Sequence, residues 1–354
     1  MSILNDPAAM GRLDPDGMIE RIREFPDQVR DAWANVSGWT VDPSVVAGAH
    51  EILVLGMGGS AIGADLVAGA ISSDTPLPIT VHRGYGLPAW VDGDTLVIAS
   101  SYSGGTEETL SGWRAAAERG ARRLAVTTGG TLAAEAEAEG LPLLTFRYDS
   151  QPRAALGHSF TLMLGVMWKL GLIDDPTPRV KAAADLLDEA QQAWGIAEPV
   201  EANWPKQIAQ WWNGALPVVF GAEHLAAMAR RWTTQINENS KAWALWAEMP
   251  ELNHNLVVGL ERASTVRRDA RVISLLSTSY HARNRARFDI THSLLDEANV
   301  AATTIEPRGE ERIGEILWTN LLGDYASYYL AMLYAVDPTP VEPIRQLKEA
   351  LAGL

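Results

Sequence analysis

The sequence contains no cysteine. That excludes disulfides, thiol nucleophiles and every metal site built on thiolates, while leaving the redox compartment open, because a chain without thiols suits either. Lysine is scarce too, present only at 169, 181, 206, 241 and 348 against a background of arginine, so each can be weighed singly. No apolar run reaches the roughly 18 residues that a membrane helix needs. The opening stretch MSILNDPAAMGRLDPDGM has neither the basic start nor the continuous apolar core of a secretory signal. These absences point to a cytoplasmic protein without a membrane partner. Positive charge is in deficit, with 29 Lys+Arg against 44 Asp+Glu and a formal net charge of -15. Such a field repels nucleic acid and acidic surfaces, although a local cradle of amides can still hold a small anion. The histidines at 50, 82, 158, 224, 254, 281 and 292 form no HxxxH or HxH pair with a carboxylate at zinc-site spacing. No metal or other cofactor is expected.

What is present is 354 residues, enough for two domains or two halves, and two passages of one kind. Ile52 to Leu66 reads ILVLGMGGSAIGADL and Leu96 to Leu110 reads LVIASSYSGGTEETL. Each is an apolar strand, a Gly/Ser/Thr loop and a helix start. The first amides of a helix have no internal partner and sit at the positive end of its dipole; Gly lets the backbone approach, and Ser or Thr adds donors. Either loop alone is compatible with an ordinary turn of an α/β sheet, but two on neighbouring strands point to one phosphorylated ligand. Neither is a nucleotide fingerprint. GMGGSA has no glycine at its sixth place, and no Gly-Lys-Ser/Thr follows. Their mark is hydroxyls: Ser60 in the first, and Ser100, Ser101, Ser103 and Thr106 in the second.

Strand and helix alternate from about residue 50. Strands are expected at Glu51 to Leu55, Ile79 to Arg83, Thr95 to Ser100, Arg123 to Thr127 and Leu143 to Phe146, with helices at about 62–72, 106–119 and 131–138. This is the pattern of βαβ units in a parallel sheet. Residues 14–48 read as one or two amphipathic helices. A helical stretch over 154–195 is interrupted at Gly171 and at Pro176 to Pro178. The alternation then resumes with strands at Leu216 to Gly221, Arg271 to Ser277 and Val300 to Glu306 and helices over 225–239 and 281–297. The second half thus opens as the first does, which suggests a degenerate duplication. Two terminal helices, Ile313 to Tyr334 and Pro343 to Leu351, are separated by the breaker Asp337-Pro338-Thr339-Pro340. The organisation expected is an N-terminal helical extension over 1–48, α/β subdomains over 49–152 and 201–310, a helical connection over 153–200, and C-terminal helices over 311–354.

The segment INENSKAWALWAEMPELNHNLVVG, Ile236 to Gly259, gathers Glu238, Lys241, Glu248, Glu251 and His254 among neutral asparagines. A carboxylate and a histidine supply the base and the acid that proton transfer in a sugar requires. Taken alone, each has an ordinary alternative: a solvated helix carboxylate, or a capping histidine.

In this order, GMGGSAIG at 56–63, SYSGGTEET at 101–109, QPRAALG at 151–157, NEN at 237–239, PELNHN at 250–255, GDYASYYLA at 323–331 and DPTPVEPIRQLK at 337–348 resemble the sugar isomerase (SIS) family. Within it the likeness is to the bifunctional phosphoglucose/phosphomannose isomerases, from about residue 50 to the C-terminus. The resemblance implies two SIS-type α/β subdomains with parallel sheets flanked by helices. It also implies aldose–ketose isomerisation of hexose 6-phosphates through a cis-enediol without metal. Gly59, Ser60, Ser101, Ser103 and Thr106 then hold the phosphate, Arg153 faces the enediolate, and Glu238 moves the proton between C1 and C2. His254, contributed by the neighbouring subunit of a homodimer, and Lys348 open the ring. A small hydroxyl residue that makes room at C2 is implied near the C-terminal lysine, with Thr339 the candidate. The chain departs from the family in following Asn-His-Asn with Leu256 rather than an acidic residue. A phosphosugar sensor of the same fold would need the loops but not the base, and an isomerase of another phosphosugar is the remaining alternative.

Overall fold

Short apolar strands alternating with helices predict parallel sheets, and the computed structural model, which describes residues 2–264 and 266–351, contains two. They lie in separate compact units, one formed by Glu24–Asp188 with Arg308–Leu317, the other by the residues up to Arg23, Glu189–Pro307 and those from Trp318 on.

The first unit holds β1 (Glu51–Leu55), β2 (Ile79–His82), β3 (Thr95–Ser101), β4 (Arg122–Thr127) and β5 (Leu143–Thr145). Their order is β2-β1-β3-β4-β5 and every pairing is parallel, with Leu55 opposite Ala99 and Ala99 opposite Ala125. β3 is buried along its whole length, which is why it reads as a continuous apolar run rather than an alternating one. Leu53, Val97, Ala125, Leu132 and Trp113 form one core cluster. The Arg123 guanidinium stands 4.6 Å from the Trp113 ring centroid. Large apolar side chains buried to this degree contribute about 1.5–3 kcal/mol each. Behind the sheet, helix Phe25–Gly38 packs on helix Leu156–Lys169, with Trp33 stacked on Trp168 at 5.2 Å.

The second unit holds β6 (Leu216–Ala222), β7 (Leu245–Met249), β8 (Ala270–Leu275) and β9 (Ala301–Ile305), ordered β7-β6-β8-β9 and again all parallel. In each unit the second strand lies outside the first and the third lies on its other side. The expected repetition is therefore visible as topology. Lys206, fully buried, donates to the carbonyl oxygens of Leu4 (2.6 Å), Ile196 (2.8 Å) and Glu198 (2.6 Å), fastening residue 4 to the 196–198 turn.

Most expected elements appear within a residue or two of their reading. Three differences have physical causes. The helix after β1 begins at Gly58 rather than near 62, because the glycines themselves enter the first turn. Helix Trp204–Trp212 is not foreseen, its tryptophans and proline masking the period. β7 is also unforeseen. It is an edge strand with exposed Leu245 and Trp246, and it takes its conformation from pairing with β6 rather than from its own Ala-, Leu- and Glu-containing sequence.

Candidate active site

In the five-stranded order the chain leaves β1 and β3 toward opposite sides of the sheet. A crevice opens outside the carboxyl ends of strands at such a reversal. Both hydroxyl-rich loops arise there. After β1 the chain enters helix Gly58–Ala70, with Ser60 in the first turn; after β3 it runs from Ser101 to Thr106 and into helix Glu107–Glu118. The amides that open both helices lack intrahelical partners.

The two loops are tied together. The Tyr102 N–H donates to Ser60 Oγ at 3.2 Å. Ser101 Oγ lies 3.1 Å from Thr106 Oγ1 and accepts from the Gly104 N–H at 3.1 Å, while Ser103 Oγ accepts from the Gly105 N–H at 3.2 Å. A hydroxyl that accepts from backbone keeps its own proton to donate, and the Ser101–Thr106 pair, in which one hydroxyl donates to the other, has one proton left over, which suits an anion. Ser101 is buried, Ser60 and Thr106 are half-buried and Ser103 is exposed, a gradient from sheet to solvent. Gly104, at φ +64°, is required: a Cβ there would stand 1.8 Å from the Gly129 carbonyl oxygen.

Arg153 is buried, 4% exposed, on the single 3-10 turn Pro152–Ala154. That turn lies against the first loop so closely that a Cβ on Gly59 would come within 2.7 Å of the Pro152 carbonyl oxygen. Ser159 Oγ donates to the Gly59 carbonyl oxygen at 3.0 Å. Gly59, Ser60, Tyr102, Phe146 and Pro152 border a cavity of about 10 Å³, roughly the room of one water.

Behind this cavity His158 is enclosed by Phe146 (5.4 Å) and Tyr148 (5.0 Å), and its Nδ1 has no hydrogen-bond partner among the described residues. Burial pulls the imidazole down from its ordinary 6.5 to about 4, against smaller upward pulls from Asp31 and Glu24. The folded value lies below the unfolded one. Between the two the unfolded chain therefore carries the extra proton, and stability falls as pH drops through that window. The expected loss approaches ~3 kcal/mol at its lower end. Urea midpoints at pH 7 and pH 5 check this: His158→Phe should show a shallower acid loss than the wild type, and equal losses would contradict it.

In the four-stranded unit, helix Ala226–Ser240 follows β6 and carries Glu238, half-exposed, in its last turn. The helix is fixed from its inner face. Gln235 Nε2 donates to Asp324 Oδ1 at 2.5 Å, Asn239 Nδ2 to Ser327 Oγ at 3.0 Å, and Ser240 Oγ to the Ser327 carbonyl oxygen at 2.7 Å. Arg231 pairs with Asp324 at 3.6 Å. Burial pulls its guanidinium down, and Asp324 and then Glu238 pull it back up. Lys241, left-handed at φ 55°, ends the helix. Its Nζ donates to the Glu238 carbonyl oxygen at 2.6 Å and to that of Pro338 at 3.1 Å, joining the residue to the segment that holds buried Thr339.

His254 closes the 3-10 turn Glu251–His254 and is exposed. Buried Leu252 and Asn253, which donates to Thr291 Oγ1 at 2.8 Å and accepts from Arg287 Nη1 at 3.2 Å, hold the turn on helix Ala282–Glu297. Lys348 lies on helix Glu342–Leu351, which is exposed on every side. Gly59, Ser60, Ser101, Ser103, Thr106 and Arg153 thus come together in one unit, whereas Glu238, His254 and Lys348 belong to the other. No local sign in the sequence marks the Tyr102 amide on Ser60 or the Lys241 bond to the Pro338 carbonyl, because both depend on tertiary approach.

Residues 201–351 match the family model described as the bacterial phospho-glucose isomerase C-terminal SIS domain. A bifunctional phosphoglucose/phosphomannose isomerase of Caldicellulosiruptor bescii is 38% identical over 340 residues, covering 95% of this chain and 99% of that protein. One of Aquifex aeolicus is 33% identical over 303 residues, covering 85% and 90%. Among solved structures, a hypothetical protein from Thermus thermophilus matches with a TM-score of 0.70 at 18% identity, covering 98% of this chain and 91% of that one, a likeness of fold.

Proposed function

This chain belongs to the bifunctional phosphoglucose/phosphomannose isomerase family, and from that premise we propose how its residues interconvert glucose 6-phosphate or mannose 6-phosphate with fructose 6-phosphate. The observation that carries the reading is the linked pair of hydroxyl loops at the sheet reversal, with the Arg153 turn pressed against Gly59. Ser60, Ser101, Ser103, Thr106 and the amides about Gly59 hold the phosphate as a handle that does not change during the reaction. Uniform binding of this kind lowers KM without contributing to the chemical step.

The chemical step needs other groups. His254 and Lys348 open the hemiacetal by moving a proton to the ring oxygen and one from the anomeric hydroxyl. Glu238 takes the proton from C2 of the open aldose, leaving an enediolate whose charge Arg153 offsets. Return of that proton to C1, with the hydroxyl proton passing from O2 to O1, oxidises C2 to the carbonyl and reduces C1 to the alcohol. The balance requires no external oxidant and no metal. Thr339, buried beside the segment that Lys241 ties to Glu238, is proposed to shape the space at C2.

A homodimer in which His254 serves the partner's site fits its surroundings. His254 is exposed in a stretch that also exposes Trp243 (84%), Leu245, Trp246, Leu256 and Val258 (62%), and β7, paired with β6 on one side, is an edge of its sheet among the described residues. Apolar surface of that kind marks a contact with another chain. A second copy covering it would bring His254 out of bulk water. Charged phosphosugars do not cross bilayers unaided, which supports a cytoplasmic location.

The test is a coupled assay of the purified protein for fructose 6-phosphate formed from glucose 6-phosphate and from mannose 6-phosphate, with and without excess chelator. Turnover unaffected by chelation is expected. No turnover of either sugar would overturn the isomerase reading, and loss on chelation would overturn the metal-free step.

A further inference from the structure

The turn that carries Arg153 is a single 3-10 turn between β5 and helix Leu156–Lys169, too short to fix its own direction. It is held from two sides. Gly59 meets it at the Pro152 carbonyl. On the other side stands Gln28, 2% exposed on helix Phe25–Gly38. Its amide nitrogen donates to the Ala154 carbonyl oxygen at 2.8 Å and to Tyr148 Oη at 2.9 Å. Tyr148 Oη donates onward to Glu24 Oε2 at 3.1 Å, and the Tyr148 carbonyl oxygen accepts from Tyr102 Oη. Tyr102 is the residue whose N–H donates to Ser60 Oγ. A chain of contacts therefore runs from the Ala154 carbonyl, one residue past Arg153, through Gln28 and the two tyrosines, to the loop proposed to hold the phosphate.

Gln28 is a costly residue for simple packing. Its Oε1 is buried with no hydrogen-bond partner among the described residues, a penalty that a leucine or methionine in the same space would not carry. What the amide gains in exchange is direction: two donors at a fixed angle, one on each segment that flanks the site. We infer that Gln28 is a positioning residue for the isomerisation, setting the backbone from which Arg153 faces the enediolate and coupling it to the loop that grips the phosphate. This inference rests on the role proposed for Arg153.

The test is a double-mutant cycle on glucose 6-phosphate with Gln28→Met and Arg153→Ala, measuring kcat, KM and Tm. Displacing a reacting group by about an ångström costs up to about 100-fold, so Gln28→Met should lower kcat by about 10-fold or more. KM should stay within about twofold, because the phosphate hydroxyls remain. In the Arg153→Ala background the same substitution should have almost no further effect on kcat. A purely structural role would instead lower Tm and reduce kcat equally in both backgrounds, and that result, or an unchanged kcat, overturns the inference. If Arg153→Ala alone keeps wild-type kcat, the role of Arg153 fails and this inference with it; if Arg153→Ala is impaired and the two losses multiply, only this inference fails. Should Gln28→Met not fold, Tyr148→Phe removes one partner of the amide, and a severalfold fall in kcat that vanishes in the Arg153→Ala background is expected; an equal fall in both backgrounds overturns the inference.

Discussion

Glu238→Gln should reduce isomerisation of glucose 6-phosphate by about 1000-fold, within the range spanned by general-base catalysis, while phosphosugar binding stays within about threefold. The substitution keeps the shape of the side chain and removes its charge and its capacity to accept a proton. The helix is anchored by other side chains, and buried Arg231 loses only the smaller of its two carboxylate influences, that of Asp324 remaining. Helix Ala226–Ser240 is held by Gln235, Asn239 and Ser240, and the Lys241 ammonium bonds the Glu238 backbone carbonyl, which the substitution leaves in place. The hydroxyls proposed to hold the phosphate lie in the other compact unit. A steady-state assay paired with calorimetric titration of glucose 6-phosphate separates the two effects. Near-normal turnover would remove Glu238 from the role of base, and loss of binding would mean that it grips substrate rather than acting on it.

The second large effect concerns His254. His254→Ala and Glu238→Gln should each be nearly inactive alone, yet recover activity when unfolded together and refolded. If His254 reaches the partner's site, each mixed dimer assembles one site with both wild-type groups. Random mixing then yields about a quarter of the wild-type rate. If His254 serves its own chain, no mixed dimer has an intact site and the mixture stays inactive. A monomer with full activity by sedimentation would contradict the dimer itself. The exposed tryptophan and valine side chains about His254 supply the physical motive for the partner.

The sheets were legible because buried parallel strands are apolar throughout and bounded by glycine or polar turns, so that β1 and β3 declare themselves in ILVL and TLVIAS. The hydroxyl loops were legible for a related reason: the cradle they are proposed to form is local, assembled from consecutive residues at a strand end. The resemblance to a known family supplied the roles of Glu238, His254 and Lys348, which spacing alone leaves as ordinary helix and turn residues. What sequence hid is whatever depends on tertiary approach. β7 is a strand only because β6 lies beside it. Gln28 reaches Ala154 across 126 positions, and Lys241 reaches Pro338 across 97. No window along the chain joins such pairs, and an amide or a lysine on a helix looks solvated until its partners are placed.

The measurement that bears most directly on the central claim is solvent deuterium exchange. Wild-type protein incubated with fructose 6-phosphate in D2O should place deuterium at the carbon that exchanges its proton with the catalytic base, and Glu238→Gln should abolish this wash-in together with turnover. Wash-in by Glu238→Gln at close to the wild-type rate would contradict the account, because the carbon proton would then be leaving to some other group.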